Sequence, residues 1–145
     1  MTTTTLDWNA IRVGDPITPM RLDITATVVV AGAIATRDFM PVHHDRDYAN
    51  SQGAPNIFLN IMTDNGFCSR FLTDWAGPEA MVRQIAIRLG VPALAGSRLE
   101  YTGTVTGTSQ LDGEGIVEIA FRATNDQGDH LSGTAIIGLP LAKAA

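Results

Sequence analysis

Ile57-Phe58-Leu59-Asn60-Ile61-Met62-Thr63-Asp64-Asn65-Gly66-Phe67-Cys68-Ser69-Arg70-Phe71-Leu72-Thr73-Asp74-Trp75 reads as one long helix. Phe58, Ile61, Met62, Asn65, Cys68, Leu72 and Trp75 follow three-and-four spacing. Ile57, Leu59, Phe67 and Phe71 carry apolar surface onto the other faces, and a helix apolar nearly all round is a buried one. The breakers Gln52-Gly53-Ala54-Pro55-Asn56 suit its start. Gly77-Pro78 ends it, because proline disfavours a helical residue before it and has no N–H to give.

Outward from this helix the chain reads as β-structure. Downstream, Met81 to Leu89, Ser97 to Gly107, Gly115 to Thr124 and His130 to Leu139 read as strands, partly alternating apolar with polar. Leu111-Asp112-Gly113-Glu114-Gly115 and Asn125-Asp126-Gln127-Gly128-Asp129 are turn sequences between them. Upstream, Ile24 to Ile34 with Val28-Val29-Val30 is apolar enough for a strand buried on both faces. Val13-Gly14-Asp15-Pro16 is a turn. A twisted antiparallel sheet wrapped around the one buried helix satisfies this order, an α+β arrangement. It leaves a sheet edge for pairing with a second chain.

Composition sets the outer bounds. The 145 residues are enough for one domain with a real core. Hydrophobic residues at 45% and charged residues at 17% place the chain among folded, not disordered, sequences. A net charge of −5, with Lys143 the single lysine, argues against nucleic-acid binding. One cysteine, Cys68, excludes an internal disulfide framework and a cysteine-based zinc site and points to a reducing cytoplasm. Residues 1–10 are threonine-rich and read as a loose arm without the basic and apolar regions of a signal peptide. No apolar run reaches the ~20 residues of a membrane span.

One stretch gathers proton-transfer groups: Asp38-Phe39-Met40-Pro41-Val42-His43-His44-Asp45-Arg46-Asp47-Tyr48-Ala49. On a regular strand, Asp38 and His43 would face opposite ways. Pro41 forces a turn that lets both face one cavity, where a carboxylate and an imidazole around one water make a general acid/base pair. The residues alone leave other readings open. Asp45, Arg46 and Asp47 also suit a solvated turn or a helix cap. His43, His44 and Asp45 are metal-ligand types, but adjacent histidines rarely converge on one ion and no second cluster supports them.

The run Asp38-x-x-Pro41-Val42-His43, followed after five residues by Ala49, resembles the motif of MaoC-like (R)-specific enoyl-CoA hydratases. Arg37 stands where that motif has Gly, and Met40 where it has Asn. Val13-Gly14-Asp15 is similar to the family's opening turn. Ala35-Thr36-Arg37-Asp38-Phe39, Val42-His43-His44-Asp45-Arg46-Asp47, Thr73-Asp74-Trp75-Ala76-Gly77-Pro78 and Arg88-Leu89-Gly90-Val91-Pro92 look like the small catalytic subunits of the heteromeric members that act in bacterial steroid side-chain degradation.

The resemblance implies a single hotdog domain over 1–145 and hydration of a steroid enoyl-CoA to a 3-hydroxyacyl-CoA. It implies Asp38 and His43 as catalytic residues that activate water, and no cofactor beyond the CoA thioester substrate and no metal. It further implies a second hotdog subunit, as in a heterotetramer, or a homodimer. His44, Asn60, Ile57 and Met40 are the expected substrate-binding residues. Asn60 replaces the glycine of the family's Ile-x-x-Gly pattern, near the backbone N–H that would meet the thioester oxygen with help from the helix dipole.

Other residues read more plainly. Asp64 and Asn65 sit within the helix and are expected to be satisfied locally or at an interface. Cys68 and Trp75 read as core. Arg70 reads as a surface charge or ion-pair partner, and Arg83 and Arg88 as solvated charges or contacts to CoA phosphates. His130 has no expected role. Two other functions remain: a hotdog thioesterase using Asp64 or Asp38, and a non-catalytic acyl-CoA-binding subunit.

Overall fold

A computed structural model describes residues 4–141. Five strands form one antiparallel sheet: β1 (Pro16–Asp23), β2 (Met81–Leu89), β3 (Arg98–Leu111), β4 (Glu114–Asn125) and β5 (Gly128–Pro140). Their order across the sheet is β1-β3-β4-β5-β2. Three helices complete the fold: α1 (Ala26–Ala35), α2 (Arg46–Ser51) and α3 (Ile61–Ala76). The expected antiparallel sheet around one long helix is present, and the four downstream strands lie where the turn sequences put them.

Local chemistry explains the long strands. Leu111 pairs with Glu114 across Asp112 and Gly113, whose φ values are 50° and 81°. Two consecutive residues at positive φ suit the tight hairpin turn whose twist matches the strands, and Asp-Gly is a favoured pair for it. In β4, Gly115, Val117, Ile119, Phe121 and Ala123 are buried at alternate positions. Pro19 lies in β1, at a register shift between Ile17 and Met20. An edge strand tolerates it because no ladder donor is lost.

Helix α3 packs Cys68, Phe71, Leu72 and Ala76 into the core. The Phe71 ring lies 5.7 Å from Tyr101 and 6.2 Å from Phe121, so helix and sheet meet through aromatic contacts. Full burial of one such side chain stabilises by about 1.5–3 kcal/mol. The helix is not buried all round, however: Ile61 is 48% and Met62 57% exposed. It also starts four residues later than the spacing predicts. Ile57–Leu59 run extended, with Phe58 bridged to Leu94, Leu59 N–H on the Ala93 carbonyl and Ala95 N–H on the Ile57 carbonyl. The actual start is set by Asn60, whose side chain caps the Thr63 N–H. Gly77, at φ 98°, ends the helix as expected, its N–H on the Thr73 carbonyl.

The run expected as a strand over Ile24–Ile34 is helix α1. A short apolar run has no period that separates strand from buried helix. Thr25 decides it by capping the Val28 N–H, and Ala26, Ala31, Ala33 and Ala35 favour helix. Gly32 lets α1 sit close on α3: a Cβ there would lie 2.4 Å from Thr63 Oγ1. The first strand is instead β1, after the Gly14 turn. The loop at Asp45 contains α2, capped by Asp45 on the Tyr48 N–H, so one of the plain readings of that acidic cluster holds.

The expected loose arm is corrected over its described part; residues 1–3 lie outside it. Thr5 Oγ1 accepts from Glu79 N–H, Leu6 N–H donates to Ala76, and Trp8 Nε1 donates to Ile116 while its ring covers Gly115. The indole hides apolar surface and still satisfies its one donor, which is why the arm stays down.

Candidate active site

The site is built on the C-terminus of α1. Arg37 N–H donates to the Ile34 carbonyl and Asp38 N–H to the Ala33 carbonyl. Arg37 has φ 58°. Those two bonds with a left-handed residue between them are a Schellman cap, whose left-handed position favours glycine. The Arg37 departure from the family motif therefore occupies a position where a Cβ is strained. The cap reverses the chain and delivers Asp38.

Pro41 then opens a single 3-10 turn, Pro41–His43, that swings His43 back. His43 Nε2 comes to 3.4 Å from Asp38 Oδ2. The ring is 7% exposed, and Phe58 packs edge-on to it at 5.1 Å. His43 Nδ1 lies 2.7 Å from the Phe58 carbonyl. A carbonyl only accepts, so Nδ1 carries a proton, and in the neutral ring it is the Nε2 lone pair that faces Asp38.

Asp38 is held at both oxygens. Oδ1 accepts from Met40 N–H at 3.2 Å, and Oδ2 accepts from Asn60 Nδ2 at 2.9 Å. The Asn60 bond first, then the Met40 amide, hold the Asp38 carboxyl below its ordinary value; burial opposes them, and the charge of a protonated His43 adds the least. An ionised carboxylate and an imidazole lone pair, both acceptors, thus face each other.

The expected substrate residues divide into groups. Met40 contributes its backbone amide and leaves its side chain 47% exposed at the rim. Asn60 is 4% exposed, and its carboxamide is bonded to Thr36, Asp38 and Thr63. His44 points out to solvent where His43 points in, and shares an open groove of about 640 Å³ with Ile57, Arg46 and Asn56. Ile34, Phe39 and Ile61, 60%, 66% and 48% exposed, add apolar surface on the same segments that hold Asp38. No group of three or more His, Cys, Asp or Glu side chains converges among the described residues.

Three members of the site have little or no sequence signal. Thr36 and Thr63 are ordinary threonines by composition, although Asn60-x-x-Thr63 fits an N-cap. The Phe58 carbonyl is a backbone group and has none at all.

His130, expected to have no role, is 3% exposed and pairs through Nε2 with Asp64 Oδ1 at 3.0 Å and through Nδ1 with the Val91 carbonyl at 2.7 Å. Burial alone would lower the His130 pKa, but the hydrogen bond and charge of Asp64, with Val91, carry it upward. Asp64 is 0% exposed and closed to substrate; its Oδ1 meets His130, while its buried Oδ2 has no hydrogen-bond partner among the described residues. Cys68 is core, its thiol pushed up to about 12 by burial and then by Asp64. Arg70 pairs with Asp74 and Arg83 with Glu114. Trp75 is half-buried against the core.

No protein-family model matches the chain. The 3-oxo-4,17-pregnadiene-20-carboxyl-CoA hydratase beta subunit of Mycobacterium tuberculosis is 40% identical over 127 residues, 88% of this chain and 95% of that protein. A chain in the crystal structure of the ChsH1-ChsH2 complex from Mycobacterium tuberculosis superposes with a TM-score of 0.82 at 41% identity, over 88% of this chain and 98% of that one. The R-hydratase PhaJ1 from Pseudomonas aeruginosa, at 21% identity, shares the fold with a TM-score of 0.84, over 95% and 88% of the two chains.

Proposed function

The chain belongs to the MaoC-like hotdog hydratase family, with the 3-oxo-4,17-pregnadiene-20-carboxyl-CoA hydratase beta subunit as a relative, and on that premise we propose that it hydrates a steroid enoyl-CoA with a shortened side chain. The observation that carries the reading is the Asp38–His43 pair, a carboxylate and an imidazole nitrogen 3.4 Å apart, with His43 Nδ1 held on the Phe58 carbonyl.

Water held between them attacks the β-carbon. One O–H bond breaks, and its proton goes to His43 Nε2. The electrons of the double bond move to the α-carbon and onto the thioester oxygen as an enolate. The first amides of α3 have no intrahelical acceptor and sit at the positive end of the helix dipole, so they suit that oxygen. The imidazolium, balanced by Asp38, returns the proton to the α-carbon, and the thioester re-forms. The net change is addition of one water, with oxygen and hydrogen delivered from the same face. His43 carries the proton because Asp38, held as an anion, is the weaker base.

The partner follows from two features. The relative's structure is that of a two-component complex, and among the described residues β2 pairs only with β5, which leaves its outer edge open beside the exposed Met81 and Leu89. We propose a second hotdog subunit on this chain, with the homodimer as the alternative, working in the cytoplasm. No helix among the described residues is long and apolar enough to cross a membrane.

The test purifies the chain alone and with a co-expressed second subunit and follows hydration of a steroid enoyl-CoA and of short-chain enoyl-CoAs. Asp38→Ala and His43→Ala are each expected to lower kcat/KM at least ~100-fold. Full activity in both variants refutes the assignment. Release of free CoA in place of hydroxyacyl-CoA would favour the thioesterase reading, which the closed position of Asp64 already weakens.

A further inference from the structure

We propose that Asn60 is a positioning residue that fixes the Asp38 carboxylate as a bare hydrogen-bond acceptor and so assigns proton transfer to His43. This rests on the hydratase reading and adds to it the device that separates the roles of the two residues.

Backbone groups, whose donor and acceptor roles are unambiguous, fix the direction of each hydrogen bond around Asn60. Thr63 N–H is a donor, 3.0 Å from Asn60 Oδ1, so that end of the carboxamide is oxygen. The Thr63 hydroxyl donates to the same oxygen at 2.5 Å. The other end is therefore the NH2 group. One of its hydrogens goes to Thr36 Oγ1 at 2.8 Å. Thr36 can accept it because its own hydroxyl hydrogen goes to the Gly32 carbonyl at 2.8 Å. The second NH2 hydrogen goes to Asp38 Oδ2 at 2.9 Å. Asp38 Oδ1 already faces the Met40 N–H. Both carboxylate oxygens thus face donors, an arrangement that favours the charged form.

The Asn60 carboxamide has two donors and two acceptor positions, and all four are in use. Its side chain has nothing left to offer a substrate. It acts through Asp38, and any substrate contact at this residue falls to its backbone.

Few other charges bear on Asp38. His43 is the titratable group in contact with it. Helix α1 carries none, Asp64 on α3 is turned onto His130, and Arg37, His44, Arg46 and Asp47 are exposed.

The experiment uses the assembled enzyme with 13C-labelled aspartate carboxyls, the Asp38 signal being assigned by its loss in Asp38→Asn. Asn60→Ser keeps an N-cap acceptor for Thr63 and removes the carboxamide donor. It is expected to raise the Asp38 titration midpoint by about one pH unit and to lower kcat about tenfold with KM little changed. Asn60→Asp keeps the cap and places a second carboxylate against Asp38, so the midpoint should rise further. A purely structural Asn60 would lower the unfolding temperature and leave the midpoint where it is. An unmoved midpoint in either folded variant, or an unchanged kcat, overturns the proposal. If the parent enzyme hydrates no enoyl-CoA, the hydratase reading fails while the titration still reports on the Asn60–Asp38 link.

Discussion

Replacing Arg37 by glycine should make this protein more stable. Arg37 sits at φ 58°, in the left-handed region, as the turning residue of the Schellman cap that ends α1. A side chain with a Cβ is strained there by about 1–2 kcal/mol. Glycine removes that strain but gives up about 0.5–1 kcal/mol through the greater freedom of its unfolded chain. The difference is a net gain of roughly 0.5–1 kcal/mol. The Arg37 side chain is exposed and makes no ion pair among the described residues, so no contact offsets the gain. In a chain of this length the change corresponds to a rise of about 2–4 °C in Tm. Thermal unfolding at fixed protein and partner concentration measures it. Arg37→Ala removes the charge and keeps the Cβ, and should leave Tm within about 1 °C of the parent. If Arg37→Gly is no more stable than Arg37→Ala, the strain argument is wrong. Activity should survive in both, since the two cap bonds that deliver Asp38 come from backbone groups.

The buried Asp64–His130 pair predicts a pH dependence with a definite sign. The His130 pKa is higher in the folded protein than the ~6.5 of a free imidazole, so its stabilisation is complete below that value and fades as pH rises through the raised one. His130→Leu should abolish this part of the pH dependence in urea unfolding and cost about 3–5 kcal/mol, because it leaves the Asp64 carboxylate buried alone. The double change Asp64→Leu, His130→Leu should recover most of that loss, and failure to do so would mean that the pair is not the energetic unit described. Cys68, buried and with its thiol pushed up to about 12, should resist a disulfide reagent in the folded protein and react at once in urea; rapid labelling of the native chain would contradict its place in the core.

Much of this was legible in the linear chain, for reasons that can be named. Asp112-Gly113 and Gly77-Pro78 act through their own backbone preferences, so the turn and the helix end lie where expected. The four downstream strands alternate and are bounded by such turns. The spacing Asp38-x-x-Pro41-x-His43 contains its own bend, which is why acid and imidazole were expected to meet, and they do, at 3.4 Å. Ile24–Ile34 was misread because an uninterrupted apolar run carries no period. The start of α3 was misread because the apolar spacing continued through the extended Ile57–Leu59 segment, while the cap at Asn60 marked the true boundary.

The sequence by itself determined the chemistry available: one carboxylate and one imidazole separated by a proline, a long and largely apolar helix, and strands enough for one sheet. Tertiary structure decided how that chemistry is aimed. The tautomer of His43 depends on the carbonyl of Phe58, and carbonyls are the same at every residue. The ionisation of Asp38 depends on Asn60, 22 positions away, and the role of His130 on Asp64, 66 positions away. Periodicity and propensity act over a few neighbouring residues, whereas these partners meet only when α1, α3 and the sheet have packed.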